Sequence, residues 1–343
     1  MPNIYDTQVL TGVVNSLRVP PQFLLETFFP DVFTSEKEYI SFDVAKDRRK
    51  LAPFVSPKIE GKIVREEGYQ TKTFTPAYIK QKTPLDMDGA FKRAFGEMIT
   101  GNLSAAARQQ MRINSVLTVH RTMIDYRMEW MAAQILRTGK VTISGDGYQT
   151  VEVDYGRHAN LTVILTGGDR WGQSGVSPLK NLQTWSQEIL SRSGSSGRNV
   201  TMDIDAWNVF KEDPTVQKRL EVQRALAQAP SMRQDAVTEE GAEYMGTVDG
   251  FNIWVYTAEY EDDSGVAQDM LPTGTVLMCG KLQGARHFGA IKDKKAGLVA
   301  VPYFSKSWEE EDPSGDVVLT QSAPLVVPYR PNATFRASVL SGV

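Results

Sequence analysis

The sequence predicts an α+β fold laid out as a broad, thin layer, and three observations predict it. Residues Asn102 to Thr138 contain neither proline nor glycine, so nothing breaks a helix longer than an ordinary core needs. Residues 44–82 carry strand-like runs but too few large apolar residues to close a core of their own. A mixed α/β stretch over residues 178–292 then separates this first part of the chain from a strand-rich end.

The rod comes first because the rest is arranged around it. Gly101 precedes it, Asn102 or Ser104 supplies the N-cap, and Gly139 stands at the left-handed C-terminal position. Leu103, Ala107, Met111, Val116, Leu117, Met123, Ile124, Met128, Met131 and Ile135 recur at three- and four-residue steps. That spacing predicts one apolar stripe, with Arg108, Arg112, Arg121, Asp125 and Glu129 largely off it. At 1.5 Å rise per residue the rod is about 55 Å long. A flat layer has a use for such a length; a compact ball does not.

The chain has 343 residues, enough for about two domains and a real core. Its net charge of −3 gives no global electrostatic case for nucleic-acid binding. Locally, residues 44–82 hold ten Lys/Arg against four Asp/Glu. Acidic clusters lie at Glu239, Glu240 and Glu243, at Glu259, Glu261, Asp262 and Asp263, and at Glu309, Glu310, Glu311 and Asp312. One basic element and several acidic ones suit contact between copies, though any single cluster taken alone better suits a solvated face. Cys279 is the only cysteine, so no intrachain disulfide forms, and its apolar neighbours predict a buried thiol. No apolar run reaches membrane-spanning length, and no charged-then-apolar leader opens the chain. A soluble, intracellular product with its natural start, and no membrane contact, is expected.

Taken in order, residues 1–22 read as an arm with one short helix, poorly anchored unless another molecule holds it. Phe23-Leu24-Leu25 with Phe28-Phe29 is dense enough in apolar area to plug a core or a neighbour, and Tyr39–Asp43 alternates as a strand. Pro53, Pro57 and Pro76 bracket two runs, Lys58–Arg65 and Tyr69–Ile79, in which Lys62–Arg65 and Lys72–Thr75 read as strands around a turn at Glu66-Glu67-Gly68. An isolated two-stranded ribbon is marginal in water, so this hairpin is expected to lie along another subunit. Phe91–Met98 reads as a short amphipathic helix before the rod. After Gly139, Lys140–Ser144 and Gln149–Asp154 flank an Asp-Gly turn, a clear hairpin. Leu161–Thr166 reads as a strand, followed by a Gly-rich linker to Ser177. In the inserted lobe, helices are expected around Leu182–Ile189, after a cap at Asp205, and over Val216–Ala227. Its strands are Val200–Met202, Phe251–Tyr256 and Thr275–Met278. Leu298–Val301, Val317–Thr320 and Leu325–Val327 are expected to return to the sheet beside the rod.

No catalytic constellation emerges. The three histidines, His120, His158 and His287, have no partner at a ligand spacing. Asp86-Met87-Asp88-Gly89 lacks the later ligands of a calcium loop. Ser177-Pro178-Leu179-Lys180 lacks the companion motifs of Ser-x-x-Lys enzymes. Asp203 and Asp205 suit a strand end and a helix cap better than a metal. No phosphate-cradling glycine loop and no Gly-x-Ser-x-Gly is present. The expectation is a protein that is not an enzyme and needs no cofactor or metal. Phe42, Phe54, Phe74 and Tyr78 interleave with the basic residues of the hairpin, which suits single-stranded nucleic acid superficially and packing on protein better.

Several stretches resemble a known family, in family order and over nearly the whole chain. They are Phe23-Leu24-Leu25 with Phe28-Phe29, Tyr39-Ile40-Ser41, Val55-Ser56-Pro57, and Phe74-Thr75-Pro76-Ala77-Tyr78. Further on come Gly139–Gly145, Val151–Arg157 and Gln321-Ser322-Ala323-Pro324-Leu325. Together they are similar to the major capsid proteins of lambda-like tailed phages. The resemblance implies an HK-97-type capsid fold with an N-terminal arm (1–38) and an extended loop (39–83). A peripheral domain (84–177) would hold the spine helix 102–138 and hairpin 140–155. An axial domain (178–292) and returning peripheral strands (293–343) would complete it.

On this resemblance the chain builds the icosahedral head that encloses double-stranded DNA, in the host cytoplasm and then in the virion. Its partners would be other copies in hexamers and pentamers, a scaffolding protein, a portal and a decoration protein. The subunit contact would fall on the extended loop at Arg48, Arg49, Lys50, Lys58, Lys62, Arg65, Glu66, Glu67, Lys72 and Phe74. Glu239, Glu240 and Glu243 would line the capsomer centre. The lysine-to-asparagine cross-link of some relatives is not carried over to Lys58, Lys62 or Lys72. The alternatives are an encapsulin-like compartment shell and, in another class, a nucleic-acid-binding module using the basic ribbon.

Overall fold

The computed structural model describes residues 6–17, 22–37, 39–44, 57, 60, 70–86, 103–145, 147–219, 241–262, 264–297, 300–311 and 314–340. Helices α1 (Thr7–Ser16) and α2 (Phe23–Phe28) precede the rod, α3, which runs Ala105–Thr138. The Ser104 hydroxyl accepts from the Ala107 N–H, and Gly139 closes the helix at φ 74°, its N–H donating to the Ile135 carbonyl. Both ends are where the capping residues place them.

The stripe on α3 is shifted from the predicted one. Ile113, Leu117, Ile124, Met128, Ala132, Ile135 and Leu136 are buried, whereas Met111 and Met123 are 41% and 54% exposed. Asp125 and Glu129, expected off the stripe, lie inside it at 7% and 0% exposure. The reason is tertiary: hydrogen-bond donors from distant segments meet both carboxylates, so burying them leaves no unpaired charge.

Around α3 stand several small sheets. Strands β1 (Asp31–Thr34), β2 (Ile40–Val44), β3 (Gln70–Phe74) and β4 (Ile79–Asp86) come before it. After it, β5 (Lys140–Gly145) and β6 (Tyr148–Asp154) form the predicted hairpin. β4 pairs with β16 (Ser314–Ser322), which pairs with β15 (Phe304–Glu311), all antiparallel. β1 lies parallel to β14 (Gly284–Phe288), which is antiparallel to β17 (Pro324–Pro328).

The strand expected at Lys72–Thr75 is β3, and the run around it, Tyr69–Ile79, ends where β4 begins. Pro76 is buried where the chain turns, and it carries no N–H for a ladder. Gly289 makes room for it, since a Cβ there would stand 2.6 Å from Pro76 Cγ. β3 therefore pairs with β2, Ile40 opposite Phe74 and Val44 opposite Gln70, and β4 joins the body. The other predicted strand, Lys62–Arg65, and its turn lie outside the described residues, as does the helix at 91–98.

The lobe is organised by a six-stranded sheet in the order β7-β18-β13-β8-β10-β9. Its strands are β7 (Thr162–Ile164), β8 (Asn199–Met202), β9 (Ala242–Val248), β10 (Phe251–Tyr256), β13 (Thr275–Cys279) and β18 (Thr334–Ser338). A small hairpin, β11 (Glu259–Glu261) with β12 (Ala267–Asp269), projects beside it. Helices α4 (Pro178–Ser193) and α5 (Ile204–Glu212) bring Leu182, Trp185, Ile189 and Phe210 onto Val200, Met278 and Phe335 in a second core. The cap of α5 is Asp203, which accepts from Asp205 and Ala206 N–H, rather than the expected Asp205. Two strands of this sheet come from outside residues 178–292, and β14 leaves that interval for the body. Of the expected return strands, Val317–Thr320 and Leu325–Val327 fall in β16 and β17 beside α3; Leu298–Val301 is not a strand where it is described, at Ala300 and Val301, and β18, not foreseen in the sequence, enters the lobe.

Candidate functional site: the loop root and the joint on the long helix

The surfaces available for contact between copies start at the root of the basic loop. β2 and β3 pair only with each other among the described residues. Lys72 is in β3, and Phe74 is half-buried against the chain's own main core, where the ladder enters the body. Arg48, Arg49, Lys50, Lys58, Lys62, Arg65, Glu66 and Glu67 lie outside the described residues, as do Glu239 and Glu240. Glu243 is exposed on β9, opposite Val255. A second candidate surface is β1, at the edge of its sheet with Val32 and Phe33 about half exposed. An uncovered strand edge offers unpaired backbone groups to another chain.

Behind these surfaces, a row of charged residues one turn apart on α3 fastens four segments to the helix. The Glu129 carboxylate accepts from the Leu24 N–H at 2.8 Å, the Leu25 N–H at 2.9 Å and the Tyr256 hydroxyl at 2.7 Å. It thus holds the first turn of α2 and strand β10 to the helix. Burial pushes its carboxyl up to about 7, against the pull of those three donors. Asp125, one turn away, accepts from the Tyr303 hydroxyl and lies 3.7 Å from Arg121. Burial raises the Asp125 carboxyl above the usual range.

Arg121 completes the row. Its guanidinium donates to the carbonyls of Val14, Asn15 and Leu17 at 2.8, 3.1 and 2.6 Å, and it stacks over the Tyr303 ring. A cation meets the negative end of α1 there. Leu10 and Val14 are buried, and Thr11 and Asn15 bond to the backbone of Ser305 and Tyr303. The expectation of a poorly anchored arm is therefore corrected for α1, which is docked on its own chain. Phe23, fully buried and packed on Trp254 and Tyr256, plugs its own core. A sequence signal for this joint existed: Arg121, Asp125 and Glu129 repeat at four-residue steps, so all three share one helix face.

The acidic end of β15 is partly matched, with Lys82 3.7 Å from Glu310 and over the Trp308 ring. The histidines have structural roles: His120 bonds Thr83 and Thr320, His158 receives the Asn160 N–H, and His287 bonds Tyr329. Cys279 is buried and its thiol is pushed up to about 12, far from a reactive thiolate. Among the described residues no three His, Cys, Asp or Glu side chains converge to hold a metal, and no helix is long and apolar enough to cross a membrane. A cleft of about 470 Å³ opens between the loop root and β5, lined by Tyr78, Lys80, Arg127, Trp130 and Ser144 without a carboxylate or histidine.

Comparison with known proteins gives a consistent result. Residues 6–339 match the family described as Phage major capsid protein E. The major capsid protein of Escherichia phage lambda is 28% identical over 335 residues, covering 95% of this chain and 96% of the relative. That of Enterobacteria phage P21 is 26% identical over 332 residues, covering 94% and 96%. Among solved structures, the putative capsid protein of a prophage of E. coli CFT073 superposes with a TM-score of 0.74 at 20% identity, covering 98% of this chain and 99% of that one.

Proposed function

The chain belongs to the phage major capsid protein E family, is a bacteriophage major capsid protein of HK-97-type fold that assembles into multimers in the virion, and from that premise we propose how its parts build the shell. Copies associate as hexamers and pentamers around a scaffolding protein, with a portal at one vertex and a decoration protein on the outside. They close an icosahedral head that encloses double-stranded DNA without reading its sequence. Assembly takes place in the host cytoplasm. The protein acts as a building unit, not an enzyme. The family match favours this reading over a compartment shell or a nucleic-acid-binding module.

Within a capsomer, the loop rooted in β2 and β3 lies across the neighbouring subunit, and Arg48, Arg49, Lys50, Lys58, Lys62 and Arg65 meet acidic side chains there. The loop around Glu239, Glu240 and Glu243 lines the capsomer centre. The divisions at 38, 83, 177 and 292 separate arm, loop, peripheral and axial parts in this scheme. The observation that carries it is the ladder of β2 with β3. It pairs with no other strand among the described residues, and a two-stranded ribbon is marginal unless something covers it. Many weak contacts of this kind, repeated by symmetry, make a stable shell.

Electron microscopy of expressed protein tests the proposal. Wild type forms large closed particles that carry nucleic acid when packaging occurs. A double Arg48→Glu and Arg49→Glu variant stays folded but unassembled. Particles of normal yield and size from that variant would overturn the role given to the loop.

A further inference from the structure

Where α3 ends, three arginines from separate segments meet. Arg137 is in the last turn of the helix, Arg157 follows the β5–β6 hairpin, and Arg336 is the middle residue of β18. Arg157 donates to the carbonyls of Leu136 and Arg137 at 2.7 and 2.6 Å and to the Thr162 hydroxyl at 2.7 Å. Thr162 is the register partner of Arg336. Phe335 and Ala337 face the second core, so Arg336 points from the other side of the sheet, where its partner Leu277 belongs to the core around α3.

Arg157 already meets the negative end of the helix, which leaves Arg137 and Arg336 without that task. Among the described residues, neither guanidinium donates a hydrogen bond or pairs with a carboxylate, and the Nε of each is buried without a partner. Burial, and after it the like charge of Arg336, weaken the hold of Arg137 on its proton, and Tyr260 offsets them in part. Two half-buried forks with unused donors match the geometry of an oxyanion. Leaving them unpaired is costly.

We propose that Arg137 and Arg336 receive a carboxylate from a second copy of this chain, at the seam between the end of α3 and the lobe sheet. This rests on the assembly of copies into a shell. Acidic groups are in surplus, 41 against 38 basic ones. Exposed Glu259, Glu261, Glu309 and Glu311 form no ion pair among the described residues, so each copy presents suitable donors of charge. The site is thus an interface lock at the joint of the two lobes, separate from the basic loop.

The test uses Arg336→Lys, with Arg137→Lys as the second variant, because a lysine keeps the charge and can be coupled to a carboxylate. Shells are assembled from equal amounts of isotope-labelled and unlabelled subunits and treated with a carbodiimide, which joins touching amines and carboxylates. The introduced lysine is expected in mixed-label peptides linked to an Asp or Glu of another copy. Links within one label only, or shells formed without links in either variant, would overturn the site. So would inorganic phosphate raising the melting temperature of unassembled wild type but not of Arg336→Gln, which would make the ligand a phosphate. Wild type that forms no shells at all would sink the assembly reading as well, whereas shells lacking mixed-label links sink this site alone.

Discussion

The Tyr256 hydroxyl donates to Glu129 Oε1 across 2.7 Å, and this bond ties the lobe to the long helix at a point that also holds α2. All three partners of Glu129 are donors, and all come from segments more than a hundred residues away. Removing the carboxylate therefore strands two backbone N–H groups and a phenol in the core. Glu129→Ala is expected to destabilise the unassembled subunit by on the order of 3 kcal/mol. Urea denaturation measures it; a loss below the range of an ordinary surface substitution would contradict the joint.

The same carboxyl gives a pH dependence. Its folded value of about 7 lies above its ordinary 4.5, so between the two the folded chain binds more proton than the unfolded one. Its contribution to stability is full below the lower value and is lost as pH rises through the upper one. Glu26, which also pushes this carboxyl up, faces it from α2, and the three donors oppose them. Glu129→Gln lacks the titration. Stability of wild type relative to that variant should fall by on the order of 3 kcal/mol from about pH 4.5 to about pH 8. Urea midpoints of both proteins across that range decide the matter, and a difference that is flat or rises with pH refutes it.

Arg121 fixes the arm through geometry as well as charge. One of its two terminal nitrogens, Nη1, serves three carbonyls at the end of α1 while the guanidinium plane covers Tyr303. A lysine has neither the plane nor the fork. Both Arg121→Ala and Arg121→Lys should speed hydrogen exchange in residues 7–16 by roughly tenfold or more, with α3 itself unaffected, as expected when a local contact of about 1.5 kcal/mol is lost. Unchanged exchange in the lysine variant would show that charge alone suffices.

Much of the fold was legible in the residues. The absence of breakers from Ala105 to Thr138, with Ser104 and Gly139 at the ends, determined the rod, because capping and helix propensity are local. The Gly-containing turn between β5 and β6 and the apolar runs of β8, β10 and β13 were equally local. The division of the loop at Pro76 was written in the sequence too, yet it depended on a neighbour, Gly289, for its space. What only the tertiary structure decided was the company kept by charged groups. Whether Glu129 faces water or the core, and whether Arg336 finds an acid or another arginine, depends on segments that meet only after folding. Periodicity scores a charged side chain as exposed, and long-range hydrogen bonds reverse that assignment wherever they satisfy it inside.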